Sequence, residues 1–206
     1  YITNSDEKKY LLNAVSNIPC IKNKANWAKK WIESNDLFQE RLVAFAIVEG
    51  VFFSGAFCAI YWMNQNGKLP GLAKGNDFIA RDEGIHVTFA CLLYKKYIIN
   101  KLTYMRFKEI LQEAVNIEIE FITESLPCKL IGMNSDLMIK YIKFVANRLA
   151  VQLGYNNVYQ NIQQPFPFMD RICLRDKSNF FEDDASAYRK FYDDSNDNDK
   201  TKNEDP

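Results

Sequence analysis

From Val43 to Met63 the sequence reads Val-Ala-Phe-Ala-Ile-Val-Glu-Gly-Val-Phe-Phe-Ser-Gly-Ala-Phe-Cys-Ala-Ile-Tyr-Trp-Met, and Glu49 is its only charge. A run this long and apolar is either a membrane span or a helix sunk in a large protein core. The flanks favour the core, because the pattern continues through Glu40, Arg41 and Asn64 as one amphipathic helix, with no second span beside it. An acid near the centre of a span would also be costly. The helical face of Glu49 carries Leu42, Phe45, Phe53, Ala56, Phe57 and Ile60, apolar on both sides of the acid.

A second stretch repeats the theme. Arg81-Asp-Glu-Gly-Ile-His86 sets Glu83 three residues before the one histidine of the chain. On a helix that spacing turns the two side chains about 60° apart, so both point the same way. Their face reads Ile79, Glu83, His86, Ala90, Leu93, Tyr97, a stripe expected to be buried. A buried carboxylate needs protonation, an ion pair or a metal. The plain reading is a core histidine hydrogen-bonded to an acid. Two neighbouring helices, each with an isolated acid in an apolar stripe and one with Glu-x-x-His, also form half of a di-metal carboxylate cage. The candidate metal ligands are Glu49, Glu83 and His86.

The remaining composition excludes several other classes. Lys plus Arg number 26 and Asp plus Glu 26, so no global field argues for nucleic acid or an anionic membrane as partner. Five cysteines stand singly with no C-x-x-C pair, which argues against a disulfide framework or a zinc site and for a reducing, cytoplasmic setting. The chain opens Tyr-Ile-Thr-Asn, without Met or a signal-peptide pattern, like the interior of a longer protein.

Helices are expected over 5–17, capped by Ser5 and stopped by Pro19, and over 23–34, with Trp27, Ala28, Trp31 and Ile32 inward and the lysines outward. Asp36 should cap the long helix, which runs to about Gln65 before Asn66-Gly-Lys-Leu-Pro-Gly71 breaks it. Asn76 or Asp77 should cap the next, ending near Asn100. Thr103 opens another, with Phe107, Ile110, Leu111, Ala114, Ile117 and Phe121 inward, Glu113, Glu120 and Glu124 solvated, and Pro127 closing it. Ser135–Leu153 is the last, followed by irregular chain after Gly154. Residues 1–183 read as one domain, and residues 184–206 as an acidic polar tail without apolar period, expected to be disordered.

Several runs resemble the small subunit of class I ribonucleotide reductase, eukaryotic type. They are Glu40-Arg-Leu-Val-Ala-Phe-Ala46, Val48-Glu-Gly-Val-Phe-Phe-Ser-Gly55, Leu69-Pro-Gly-Leu72, Arg81-Asp-Glu-Gly-Ile-His86, Leu130-Ile-Gly-Met-Asn134, Pro165-Phe-Pro-Phe-Met169 and Lys177-Ser-Asn-Phe-Phe-Glu182. The resemblance implies an all-α, ferritin-like helical bundle, here its C-terminal part, that holds two bridged irons (or manganese) beside a tyrosyl radical. It assigns Glu49, Glu83 and His86 to the metal. Asp82 matches the acid that hydrogen-bonds a ligand histidine of the other half and helps carry the radical outward. Phe53, Phe57 and Ile79 match apolar residues that keep water from the radical. The implied partners are a second copy in a homodimer and the reductase large subunit, with neither nucleic acid nor membrane.

Two departures qualify this. The family's other ligands, an Asp and a second Glu-x-x-His, have no counterpart here, and neither has the radical tyrosine. The polar tail lacks the apolar-acidic ending that docks on the large subunit. The expected function is radical generation for ribonucleoside-diphosphate reduction, by a chain incomplete as it stands. The alternatives are a non-catalytic paralogue that assembles or regulates the reductase, and a half-site ferritin-like iron protein completed by dimerisation.

Overall fold

A computed structural model describes residues 2–125 and 133–169. Residues 1–167 form one compact unit, to which all the elements below belong, and residues 168–206 a second. The expected disordered tail and the closing role of Pro127 lie outside the described residues. Among the described residues the chain forms α-helices and no β-strand: α1 (Ser5–Leu12), α2 (Ala14–Asn17), α3 (Pro19–Glu33), α4 (Phe38–Val51), α5 (Ser54–Gln65), α6 (Pro70–Tyr97), α7 (Tyr104–Ser125) and α8 (Ser135–Leu153).

Several helix ends fall elsewhere than the sequence suggested. The segment 5–17 is two helices, because the Asn13 side chain donates back to Lys9 O at 2.8 Å and closes α1. Asn4, not Ser5, caps α1, accepting the Asp6 and Glu7 N–H groups at 2.9 and 3.1 Å. Pro19 begins α3 and Pro70 begins α6, since a proline loses nothing at a first-turn position that has no helical acceptor. Asn76 is therefore buried inside α6 and caps nothing. The long helix starts at Phe38 without a side-chain cap from Asp36, and it breaks at Phe52–Phe53 into α4 and α5. At the far end the match is close: Asn134 caps α8 through the Leu137 N–H at 2.9 Å, and Gly154 ends it at φ 95°, a conformation that favours glycine.

Helix α4 is the centre of the unit, packed against α3, α5, α6, α7 and α8. Val43, Ala44, Ile47 and Val51 lie on its inner side with no exposure at all. Their small or β-branched side chains let neighbouring helices come close from several directions. The 28 residues from Phe38 to Gln65 are long and apolar enough to cross a membrane, yet over half of their most apolar window is buried inside the chain.

A pair of hydrogen bonds to backbone carbonyls and one ion pair fix the start of α4. Arg41 donates to the Trp31 and Ile32 carbonyls at 3.1 and 3.2 Å, which ties down the last turn of α3. Glu40, buried, takes Arg106 Nε at 2.6 Å, which anchors the first turn of α7. On α3, Trp27 and Trp31 meet edge to face at 5.8 Å, and Trp27 meets Phe52 at 5.1 Å. Two expectations for α3 fail: Ile32 is exposed, and Lys24 lies on the inward stripe with Cys20, Trp27 and Trp31. The Lys24 ammonium pairs with Glu118 of α7 at 2.7 Å.

The corner between α6 and α7 is held by a closed ring of hydrogen bonds. Leu102 N–H donates to Tyr94 Oη at 2.9 Å, Tyr94 and Tyr155 hydroxyls lie 2.5 Å apart, and Tyr155 donates to Leu102 O at 2.9 Å. Running Tyr94 O–H to Tyr155 lets each hydroxyl donate once and accept once. Phe107 stacks on Tyr155 at 4.1 Å and covers one side of the ring. A buried donor or acceptor left without a partner costs more than the bond gained. Replacing Tyr94→Phe opens the ring and should lower stability by about 1–3 kcal/mol in urea denaturation, with helical content unchanged.

Candidate metal centre

Glu49 comes from the last turn of α4, and Glu83 and His86 from the middle of α6. The two helices approach closely here because residue 50 is glycine: a Cβ there would stand 3.2 Å from Val87 Cγ2 and 3.6 Å from Leu149. Val87 is one residue beyond His86, so the contact that sets the helix spacing also sets the spacing of the ligands. His86 Nδ1 lies 3.0 Å from Glu83 Oε2 and 3.2 Å from Glu49 Oε2. One ligand atom from each of the three falls within 4.8 Å of the others.

The side chains of Glu49, Glu83 and His86 are 16 %, 18 % and 51 % exposed. The stripe expected to be buried is thus only partly so. Ile79 is 52 %, Phe53 38 %, Phe45 41 % and Tyr97 71 % exposed, whereas Ala90 is fully buried. The reason is geometric. A helix as apolar as α4 has two sides that could serve as core, and the chain packs the side of small residues inward, leaving the aromatic side with Glu49 at the surface. Phe53 and Phe57 stack on that surface at 6.0 Å between ring centroids.

The charges in the cluster conflict with one another. Burial and the adjacent Glu83 carboxylate push Glu49 up to about 7, against the pull of His86. Glu83 is held below the usual carboxylate range, first by a hydrogen bond with Glu49 and then by His86. Both acids raise His86 above the ordinary imidazole value. With the imidazole protonated, Nδ1–H donates to both carboxylates. With a cation in the cluster, the same nitrogen would offer its lone pair. Two carboxylates and one imidazole, already convergent, fit an iron or manganese ion. A proton shared among three groups is a poor substitute for the positive charge they surround.

Asp82 stays out of the cluster. Its carboxylate is largely exposed, 3.9 Å from Arg81 Nε of the neighbouring residue. Glu113 and Glu120 are on the wet side of α7, as expected, pairing with Lys30 at 3.2 Å and Asn23 at 3.0 Å. Glu118, an acid outside that solvated set, is completely buried. A signal was present, since Leu111, Ala114, Glu118 and Ile122 follow helical spacing on one stripe.

A metal must displace the proton on Glu49 and that on His86, so its affinity depends on pH. Because both groups hold protons more tightly than usual, manganese(II) affinity should rise from about pH 6 to about pH 8, by up to roughly tenfold per unit for each proton displaced. Titration calorimetry at several pH values checks the sign, and Glu49→Gln should make the dependence shallower.

The chain matches the sequence family described as "Ribonucleotide reductase, small chain" over residues 1–165. It is 56 % identical to the ribonucleoside-diphosphate reductase small chain of Trypanosoma brucei brucei over 92 % of this chain and 56 % of that one. It is 49 % identical to subunit M2 of the Rattus norvegicus enzyme over 92 % and 48 %. The chain therefore spans about half the length of the curated relatives it matches. Among solved structures, the ribonucleotide reductase Rnr4 homodimer from Saccharomyces cerevisiae superposes with a TM-score of 0.70 at 37 % identity, covering 87 % of this chain and 54 % of that one. A class I reductase structure from Bacillus halodurans gives a TM-score of 0.73 at 24 % identity, over 82 % and 65 % of the two chains, a likeness of fold alone. On sequence and fold together, this ferritin-like helical chain belongs to the ribonucleotide reductase small-chain family.

Proposed function

We propose that this chain is part of the radical-generating small subunit of a ribonucleoside-diphosphate reductase, with Glu49, Glu83 and His86 as its share of the ligands to a di-iron centre. The observation that carries this reading is the convergence of those three ligand atoms within 4.8 Å on the face of two packed helices. When bound, a di-iron centre supplies the oxidising power that makes the tyrosyl radical used in ribonucleotide reduction.

The chain's own residues account for the rest. Glu49 and Glu83 neutralise the cation, and Glu49 gives up its proton near neutral pH because it holds it only to about 7. His86 supplies a neutral donor through Nδ1. The stacked Phe53 and Phe57, with Ile79, form an apolar wall against which water is excluded once the face is covered. Asp82, exposed and next to Glu83, would accept a hydrogen bond from a ligand histidine on another segment. That segment, and the remaining ligands, would come from polypeptide outside this sequence. The large subunit as partner, the homodimer and a cytoplasmic setting belong to the same proposal. The buried free thiols of Cys20, Cys58 and Cys91 support the reducing compartment.

A second reading has a specific support. The exposed apolar residues around the cluster, Phe45, Phe53, Ile79, Ile85 and Phe89, also suit a second copy of the chain that completes the ligand set across a two-fold axis. Mass measurement with metal counting separates the two, since a pooled site holds about two irons per dimer.

The chain by itself, given iron(II) and oxygen, should show no tyrosyl radical by electron paramagnetic resonance. It should still bind manganese(II), with Glu83→Ala and His86→Ala each weakening binding at least roughly tenfold. A strong radical signal from this chain alone, or metal binding indifferent to both substitutions, would overturn the proposal.

A further inference from the structure

Lys24 and Glu118 lie on inward stripes of α3 and α7, and neither belongs to the Glu49–Glu83–His86 cluster. They meet at the break between α4 and α5. Lys24 Nζ stands 2.7 Å from Glu118 Oε2 and donates a short hydrogen bond to Phe52 O. The Phe121 ring centroid is 3.9 Å from the ammonium, and that of Phe52 is 5.3 Å away. On the other side of the break the Glu118 carboxylate faces the Gly55 N–H. The approach depends on glycine, since a Cβ at residue 55 would stand 2.8 Å from Glu118 Oε1. Ser54 Oγ donates to Val51 O at 2.7 Å.

A break in a helix strands carbonyls on one side and N–H groups on the other. Here the cation sits on the carbonyl side and the anion on the N–H side, matching the dipoles of the two helix ends. A buried ion pair is a weak way to gain stability, because apolar side chains of similar volume do as well or better. What it adds is register: the charges satisfy one position of the break and no other. Burial pushes Glu118 up to about 7 against the pull of Lys24 and the Gly55 N–H, so the carboxylate tolerates this site only with those partners. The break follows Glu49 by three residues, and Phe53 lies within it.

We propose that Lys24 and Glu118 are positioning residues for the metal centre, a buried clamp that fixes the α4–α5 break and through it the direction of Glu49 and Phe53. The proposal rests on the metal-centre reading above for its consequence, though not for the clamp itself.

Two readouts on the full chain test it: amide hydrogen exchange by mass spectrometry over residues 49–57, and binding of cobalt(II) followed by its visible spectrum. The variants are Lys24→Met, Glu118→Gln, the charge-conserving Lys24→Arg, and the double variant Lys24→Met/Glu118→Leu, which leaves no unpaired charge and keeps the fold testable. Lys24→Met and the double variant should exchange at least roughly tenfold faster over 52–57 with α8 unchanged. They should bind cobalt(II) at least roughly tenfold more weakly with an altered spectrum, while Lys24→Arg stays near the parent protein. A folded double variant with parental exchange and parental cobalt spectrum overturns the proposal and leaves the pair purely structural. If the parent chain itself binds no cobalt(II), the metal reading fails, while the exchange rates still decide whether the clamp exists.

Discussion

Two carboxylates and an imidazole are brought together by two closely packed helices. Glu49 and Glu83 belong to different helices, and the close approach of those helices at Gly50 sets their spacing. Like charges at this range force a proton onto Glu49 or a cation between the groups. The rest of the unit can be read as what is needed to keep that arrangement rigid. Central α4 is wrapped by five other helices, and its inner side is fully buried.

Many of the polar groups inside the bundle share one placement. They sit at or beside helix ends, where backbone groups lack helical partners, although Asn76 is buried within α6. Arg41 serves the end of α3, Glu40 and Arg106 join the starts of α4 and α7, and Lys24 with Glu118 spans the α4–α5 break. Tyr94 and Tyr155 serve the α6–α7 corner, and Asn147 holds the turn after α8 through Val158 and Tyr159 N–H at 3.0 Å and Tyr159 O at 2.8 Å. Buried charge and amide groups are costly without partners, and helix ends are where unpaired backbone groups are available. Polar residues therefore specify the ends and breaks, while apolar contacts supply the packing.

Much of this was legible from sequence. The all-helical class, the bounds of α8, the wet acids on α7 and the meeting of Glu49 with Glu83 and His86 follow from periodicity and spacing. The errors have physical causes. Pro19 and Pro70 look like a stop and a break in the sequence but start helices, because proline is compatible with both and only the chain before it decides. Lys24 and Glu118 do not stand out in the sequence, because charge on a helix usually marks the wet side, even though each lies at stripe spacing. The break at Phe52–Phe53 has no Pro, and Ser54-Gly55 beside it is a weak turn signal inside so apolar a run; the side chains that meet there come from α3 and α7, far away in sequence.

What the sequence determined by itself is the chemistry available: one imidazole, two isolated acids in apolar runs, and helices long enough to carry them, since side-chain type and helical period are local properties. Which side of α4 became the core was left to tertiary structure. A helix apolar nearly all round carries no local instruction on which face to bury, and that choice falls to the partner helices that fit against its small residues. The outcome put Val43, Ala44 and Ile47 inside and left Glu49, with Phe45 and Phe53, on the open face where a metal and further polypeptide can reach it.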